Sequence, residues 1–337
     1  MRVIQMGMGG MGNAWLERLT PLPFIDFVGF VEVNDEIATS QAELYGFDSS
    51  IIFKTLQEAL DNVTADAVIS VIPPEYRIET LQTCIDANIP LMAEKPLSET
   101  LEDAYTQCKM AEDSGLVYVI TQDYRYKPAL YTMKHILDSG ELGAIDSVTV
   151  SHYWGFEFVG FRADMPYPLM NDMAVHHFDL LRYFLDSEPV SLYGKTWSPS
   201  WNKLAGKMSA HAMMTFPNDV QVAYNTSWVS NGLTTTFDGE WRFECEKGVM
   251  TLINDVITIQ KRNDLHGVNF TYHPPETPPF VDMPYDRQPY LAHELNEYVV
   301  NGTIPATRVQ DNVKTLQMVF DVIKSSETGQ IIHKEQA

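Results

Sequence analysis

A short apolar run, Arg2 to Met6, leads straight into the hexapeptide GMGGMG, Gly7 to Gly12, and then into a helix-like segment from about Met11 to Leu19. Glycines at first, third and sixth place between a strand and a helix have a physical reason. The first permits the tight turn, the second lets backbone approach a pyrophosphate, and the third lets helix pack on strand. The helix N-terminus then offers unpaired N–H groups to anionic oxygens. A purely structural glycine turn would show the same letters, so the context decides.

That context is regular alternation. Apolar runs at Phe27 to Val33, near Ile51, at Ala67 to Ile72, Leu91 to Ala93 and Val117 to Thr121 are separated by helical patterns at about Asp35 to Tyr45, Leu56 to Asn62, Glu75 to Asn88 and Glu99 to Ser114. Strand–helix alternation implies an α/β fold with a parallel, doubly wound sheet, here over residues 1–122. Glu32 ends the second run, about 20 residues after the glycines, where a carboxylate takes the ribose hydroxyls of an adenosine and repels a 2′-phosphate. No Arg follows it. NAD is therefore the expected cofactor in preference to NADP, held by Gly7, Met8, Gly9, Gly10, Met11, Gly12 and Glu32. An ordinary surface acid is the alternative for Glu32.

Composition narrows the rest. The chain has 337 residues, enough for two domains, and a formal net charge of −22 from 23 basic and 45 acidic residues. Without a basic cluster, such a chain repels nucleic acid and anionic membranes. Its three cysteines are scattered singly, which argues against a disulfide framework or a zinc knuckle and points to the cytoplasm. No apolar run reaches the roughly 20 residues that a bilayer requires.

Two further stretches carry chemistry. Glu94-Lys95-Pro96 sits just past the end of a predicted strand, the edge where open α/β sheets bind ligands. A lysine there can stabilise a developing alkoxide, or it can be an ordinary solvated loop lysine. The segment NDMAVHHFDLLRYF, Asn171 to Phe184, reads as a helix with Asn171 or Asp172 as its N-cap. At 100° per residue, Ala174, Phe178, Leu181 and Leu185 share one side and Asp172, His176, Asp179 and Tyr183 the other, with His177 between. A carboxylate beside an imidazole makes a usable general base. A solvated polar face or a metal site would draw on the same residues, although no metal is expected without HExxH or a cysteine pair.

Taken together, GxGxxG, the EKP motif at Glu94 to Pro96 and the helix motif DMAVHHFD at Asp172 to Asp179 resemble the glucose–fructose oxidoreductase/inositol dehydrogenase/MocA (Gfo/Idh/MocA) family over nearly the whole chain. Ala174 stands where the family usually has Gly. The resemblance implies that Lys95, Asp172 and His176 are catalytic, that His177 is not, and that Asp179 supports the site. It implies cofactor contacts from Glu94, Lys95 and the VIPP turn, including Ile72 and Pro73. Just after that turn the family commonly has an asparagine and a histidine, and this chain has Glu75 and Arg77. Gln122 to Pro128 resembles the crossover into a second domain, with Tyr124 and Arg125 bordering the substrate. Arg162 could bind substrate or be an exposed structural arginine. Trp154, Phe156, Phe161, Trp197 and Trp201 suit stacking on a sugar ring, and equally suit a core or an interface.

From about Asp123 strand-like segments dominate after one helix (about Ala129 to Ser139): Ile145 to Tyr153, Ser191 to Trp197, Ser209 to Phe216, Val220 to Trp228, Glu240 to Glu246, Gly248 to Ile253 and Val256 to Lys261. Consecutive strands with short turns argue for one antiparallel sheet, and the resemblance implies an α+β domain, here 123–310, with a large, open, mainly antiparallel sheet. His273 to Pro284 reads as an extended proline-rich loop. The apolar face Val313, Leu316, Phe320 and Ile323 marks a C-terminal helix, 311–337, that in the family packs back on the first domain. The resemblance further implies a homodimer or homotetramer and hydride transfer between nicotinamide and a secondary alcohol of a sugar, polyol or sugar derivative. A non-catalytic dinucleotide-binding sensor and an NAD-dependent glycoside-cleaving enzyme are the alternatives.

Overall fold

The structure is a computed structural model that describes residues 1–155, 164–263 and 271–334. Arg162, Phe156 and Phe161 lie outside the described residues. The chain divides into two units, one of Met1–Asp123 with Pro284–Leu316, the other of the described residues in Tyr124–Met283 and Gln317–Ala337.

The first unit alternates β1 (Arg2–Met6), α1 (Gly10–Leu19), β2 (Asp26–Val31), α2 (Asp35–Tyr45), β3 (Ile52–Phe53), α3 (Leu56–Asn62), β4 (Ala67–Ser70), α4 (Arg77–Asp86), β5 (Leu91–Ala93), α5 (Leu101–Ser114) and β6 (Tyr118–Ile120). Its six strands run parallel in the order β3-β2-β1-β4-β5-β6, the doubly wound arrangement that the alternation implies. Val3, Ile4, Val68, Ile69, Leu91, Met92 and Val119 are wholly buried, as strands covered on both faces must be. The order reverses between β1 and β4, so the loops after these strands flank the crevice where such sheets bind ligands. The free edge of β6 is closed from the far end of the chain, where the Ile120 N–H donates to the Thr307 carbonyl at 2.9 Å and Val119 bridges Arg308.

The second unit holds α6 (Pro128–Asp138), β7 (Ile145–Tyr153), α7 (Val175–Leu185), β8 (Ser191–Trp197), β9 (Ser209–Thr215), β10 (Gln221–Ser227), β11 (Glu240–Cys245), β12 (Gly248–Ile253), β13 (Val256–Lys261) and β14 (Ile332–His333). One eight-stranded sheet runs β13-β12-β11-β7-β10-β9-β8-β14. It is antiparallel except between β7 and β10. Residues alternate between a covered and an open face, as in Leu192, Gly194 and Thr196 of β8, which are buried between exposed Tyr193 and Lys195.

The division departs from the expected boundaries in two places. Residues 284–310 belong with the first unit, because the helix α8 (Arg287–Asn301), not expected from the sequence, buries Leu291, Ala292 and Leu295 there, and Arg18 of α1 donates to Gln288 at 2.9 Å. The C-terminal helix α9 (Val309–Thr328) passes to the second unit at Gln317. Its later turns seat against β8 at Gly194, where a Cβ would meet Val322 Cγ1 at 2.7 Å. Ser325 and Ser326 there accept the N–H groups of Gly194 and Thr196.

Two histidines are enclosed in the second unit's core. His152 hydrogen-bonds with Thr226 through Nδ1 at 3.0 Å, and His177 with the Tyr224 hydroxyl at 2.9 Å. Their rings lie 5.1 Å apart, and the His152 Nε2 has no hydrogen-bond partner among the described residues. Burial holds His152 down to about 4 and His177 well below its ordinary value, where His152 and Lys127 add to the effect. In the unfolded chain both titrate near pH 6.5, so between about pH 6.5 and 4 the unfolded state binds the extra protons. Stability must then fall as pH drops through that window, by roughly 3 kcal/mol from His152 alone. Urea melts from pH 7 to 4 measure this, with a flatter slope expected in His152→Phe; equal slopes in the two proteins would contradict it.

Candidate active site

In the first unit the glycine loop is locked from several sides. A Cβ at Gly7 would meet the Val71 carbonyl oxygen at 2.5 Å, and one at Gly12 the Gly7 carbonyl oxygen at 2.2 Å, so both positions require glycine. Around Gly9 and Gly10 a Cβ would meet nothing within 4 Å. The helix N-terminus there carries no side-chain cap and no acid in its first turn. Open space against uncapped N–H groups fits the pyrophosphate of a dinucleotide. Gln5 braces the turn, its Nε2 donating to the carbonyls of Gly7 (3.0 Å) and Gly12 (3.1 Å). Met8 is buried in a small cluster with Leu16 and Phe30, whereas Met11 is exposed. Ile72 and Pro73 follow β4 beside Gly7, and Pro73 precedes a 3-10 turn, Pro74–Tyr76.

Glu32 is buried at the end of β2. Its carboxylate accepts from the Met8 N–H and the Asn34 N–H, both at 2.9 Å, and so ties the glycine loop to the following turn. A carboxylate has further lone pairs for ribose hydroxyls. Lys54, not singled out from the sequence, donates to the carbonyls of Glu32 (3.1 Å) and Val33 (3.2 Å) and pairs with Asp35 at 2.5 Å. It is 22 residues from Glu32, out of reach of any local motif.

Glu94, Lys95 and Pro96 follow β5. The Trp15 indole donates to Glu94 Oε1 at 2.7 Å, and the Lys95 N–H lies 3.0 Å from Glu94 Oε2 and 3.2 Å from Thr121 Oγ1. Burial pushes the Glu94 carboxyl up, against the lowering effect of Lys95 and Trp15. Lys95 is partly exposed.

In the second unit the histidine helix is enclosed. Every residue from Val175 to Arg182 is buried, and His176 is 5% and Asp179 1% exposed, so the polar stripe is not a solvated face. The expected start also changes. A π-helical turn, Leu169–Ala174, precedes α7, and neither Asn171 nor Asp172 caps it. Asp172 therefore sits in a widened turn ahead of His176, and such turns recur at functional sites. Asp179 accepts both Nε and Nη2 of Arg125 at 2.6 Å, and the guanidinium carbon lies 5.3 Å from the Tyr183 ring centroid. The guanidinium expected to border the substrate thus carries a buried, bidentate carboxylate pair. Tyr124 stacks on His176, with ring centroids 4.0 Å apart and planes 11° apart. The Lys127 ammonium lies 3.7 Å from the Tyr124 centroid and pairs with Asp238. His177 lies in the core, bonded to Tyr224.

Of the aromatic candidates, Trp154 is partly buried against Phe237 at 5.2 Å, Trp197 packs edge-on with His211 at 4.7 Å, and Trp201 is 58% exposed with its indole donating to the Val229 carbonyl. Tyr124, Lys127 and Asp238 gave no collective signal in the sequence, because Asp238 lies 111 residues from Lys127.

Removing one member of a buried ion pair takes its opposite charge from the other, a loss of roughly 3–5 kcal/mol. Asp179→Ala is therefore expected to destabilise the protein by about that amount, and Asp179→Asn by less. Thermal melts of the two variants check this; an Asp179→Ala protein as stable as the parent would show that Arg125 finds another partner.

Similarity to known proteins follows the same division. The family described as "Oxidoreductase family, NAD-binding Rossmann fold" matches residues 1–122, and the GFO/IDH/MocA C-terminal domain matches residues 130–251. The protein called "Uncharacterized protein y4oX" from Sinorhizobium fredii is 23% identical over 99% of this chain and 96% of its own length. Inositol 2-dehydrogenase 1 from Paenarthrobacter aurescens is 27% identical over 61% of this chain and 60% of its own. A solved oxidoreductase from Agrobacterium radiobacter, in complex with NAD+, L-tartaric acid and magnesium, shares the fold with a TM-score of 0.86 at 14% identity, covering 98% of both chains. With both domains matched in order over most of its length, the chain belongs to the Gfo/Idh/MocA family of NAD(P)-binding oxidoreductases.

Proposed function

We propose that this protein is an NAD-dependent dehydrogenase acting on a secondary alcohol of a sugar, polyol or sugar derivative. The observation that carries it is the enclosure of His176, a titratable ring stacked on Tyr124 and bounded by charged groups that have partners of their own. The similarity to an inositol 2-dehydrogenase supports the substrate class. A cytoplasmic homodimer or homotetramer belongs to the same proposal.

The dinucleotide would be held by the glycine loop, Gly7 to Gly12, with Glu32 on the ribose and Ile72, Pro73, Glu94 and Lys95 beside it. When bound, its nicotinamide supplies the hydride acceptor or donor. His176 takes the hydroxyl proton as the alcohol carbon becomes a carbonyl. Asp172 orients the imidazole and binds a neighbouring hydroxyl. Lys95 donates to the reacting oxygen and lowers the cost of its negative charge. Asp179 and Arg125 fix α7, and so the ring's place, while Tyr124 limits its rotation. Trp154 and Arg162 complete the proposed substrate contacts. The Glu32 carboxylate, held at the end of β2 by two backbone donors, favours a free 2′-hydroxyl over a phosphate, which supports NAD over NADP.

General base catalysis contributes about 10²- to 10⁴-fold. His176→Ala should cut kcat by at least about a hundredfold while NADH still binds, in a screen that follows absorbance change with myo-inositol and common aldoses. Turnover close to the parent's would remove His176 from the chemistry.

A further inference from the structure

The turn that carries Lys95 is held from beneath by a residue with no assigned role. Arg77 opens α4 and is 1% exposed. Its Nη1 donates to the Pro96 carbonyl, the one that follows Lys95, at 2.6 Å. Burial disfavours its charge, and Tyr118 and the Glu94 carboxyl favour it. Tyr118 continues the brace, its hydroxyl donating to Gln107, whose amide donates to the Leu97 carbonyl at 3.4 Å. On the other side the Glu94 N–H donates to the Ser70 carbonyl at 2.9 Å, Trp15 holds the Glu94 carboxyl and Thr121 faces the Lys95 N–H.

Each residue from Glu94 to Leu97 is thus gripped by a different element of the first unit. Most of these grips are neutral, and backbone alone provides one of them. Arg77 is different in kind. A buried guanidinium is costly and is tolerated where its donors are used. Here an identified donor goes to the peptide next to the lysine. A methyl or amide side chain at 77 would leave that half-buried carbonyl without its charged donor, and the turn would be free to tilt.

We propose that Arg77 is a positioning residue for Lys95, fixing the height and direction of its ammonium through the Pro96 carbonyl. The catalytic consequence rests on the role proposed for Lys95 above; the positioning itself does not. Misplacement by about an ångström is enough to lower turnover by up to about a hundredfold without loss of binding.

Competitive acetylation of the full-length protein with trace acetic anhydride, read by mass spectrometry across pH, reports on Lys95 directly, with exposed Lys109 as the internal standard. In Arg77→Met, Lys95 should label at least about threefold faster relative to Lys109, because the turn opens locally. Arg77→Lys, which keeps a cationic donor, should restore most of the parent rate. Where the parent turns over a polyol, Arg77→Met should also lose about tenfold or more in kcat with the NADH dissociation constant unchanged. An unchanged Lys95 labelling rate in Arg77→Met overturns the proposal. If that variant does not fold, Arg77→Gln, which keeps a neutral amide donor but not the charge, takes its place; a rise of about twofold is expected and an unchanged rate overturns it. Lys95→Met that keeps full turnover would instead remove the functional role of Lys95, and would leave the labelling result as it stands.

Discussion

The enclosure of α7 sets the terms for the second unit. A helix buried on nearly every side cannot leave a charge without a partner, so each polar residue on it is answered by another segment. Asp179 is answered by Arg125, His177 by Tyr224, and His176 by the face of Tyr124. The eight-stranded sheet and Met318, Val319 and Val322 of α9 share one core with the apolar residues of that helix. Its neighbouring histidines show the consequence. One backbone step separates a ring fixed in the core by a tyrosine hydroxyl from a ring stacked on an aromatic face.

The first unit follows a comparable logic with backbone in place of side chains. Gly7 and Gly12 bring three chain segments closer than a Cβ permits, and Gln5 and Glu32 tie the resulting loop to both flanks. The loop is therefore held in shape by the chain's own contacts, and its uncapped helix end faces open space. Pre-formed donors of this kind bind phosphate without reorganisation. The lysine turn after β5 is built in the same way, with a carboxyl, a hydroxyl and a guanidinium each holding one part of it.

Much of the architecture could be read from the sequence because it follows from local rules. The alternation that gave six parallel strands, and the ranges of α2, α3, β5, β7, β8, β12 and β13, came from apolar spacing, caps and turns that act over a few residues. The start of the histidine helix was not legible, because a π turn has the same letters as an α turn and only packing decides between them. The helix α8 was hidden by Pro289 inside its first turn and by the proline-rich segment before it. The residues that answer α7 were hidden for another reason. Arg125 is 54 residues from Asp179, Tyr224 is 47 from His177, and Asp238 is 111 from Lys127. Whether a polar stripe is wet or enclosed depends on those distant partners, which no periodicity can show. Glu32 was visible as an acid at the right distance, but its hold on the Met8 and Asn34 N–H groups and the presence of Lys54 beneath it were not.

The most direct test of this dinucleotide site is a parallel titration of the purified protein with NADH and NADPH, followed by quenching of its six tryptophans. One of these, Trp15, lies in the helix that opens at the glycine loop. With Glu32 fixed by two backbone donors, NADH is expected to bind at least about tenfold more tightly, since a 2′-phosphate would meet its carboxylate. Tighter binding of NADPH, or quenching by neither, would contradict the assignment of Glu32 and of the loop it anchors.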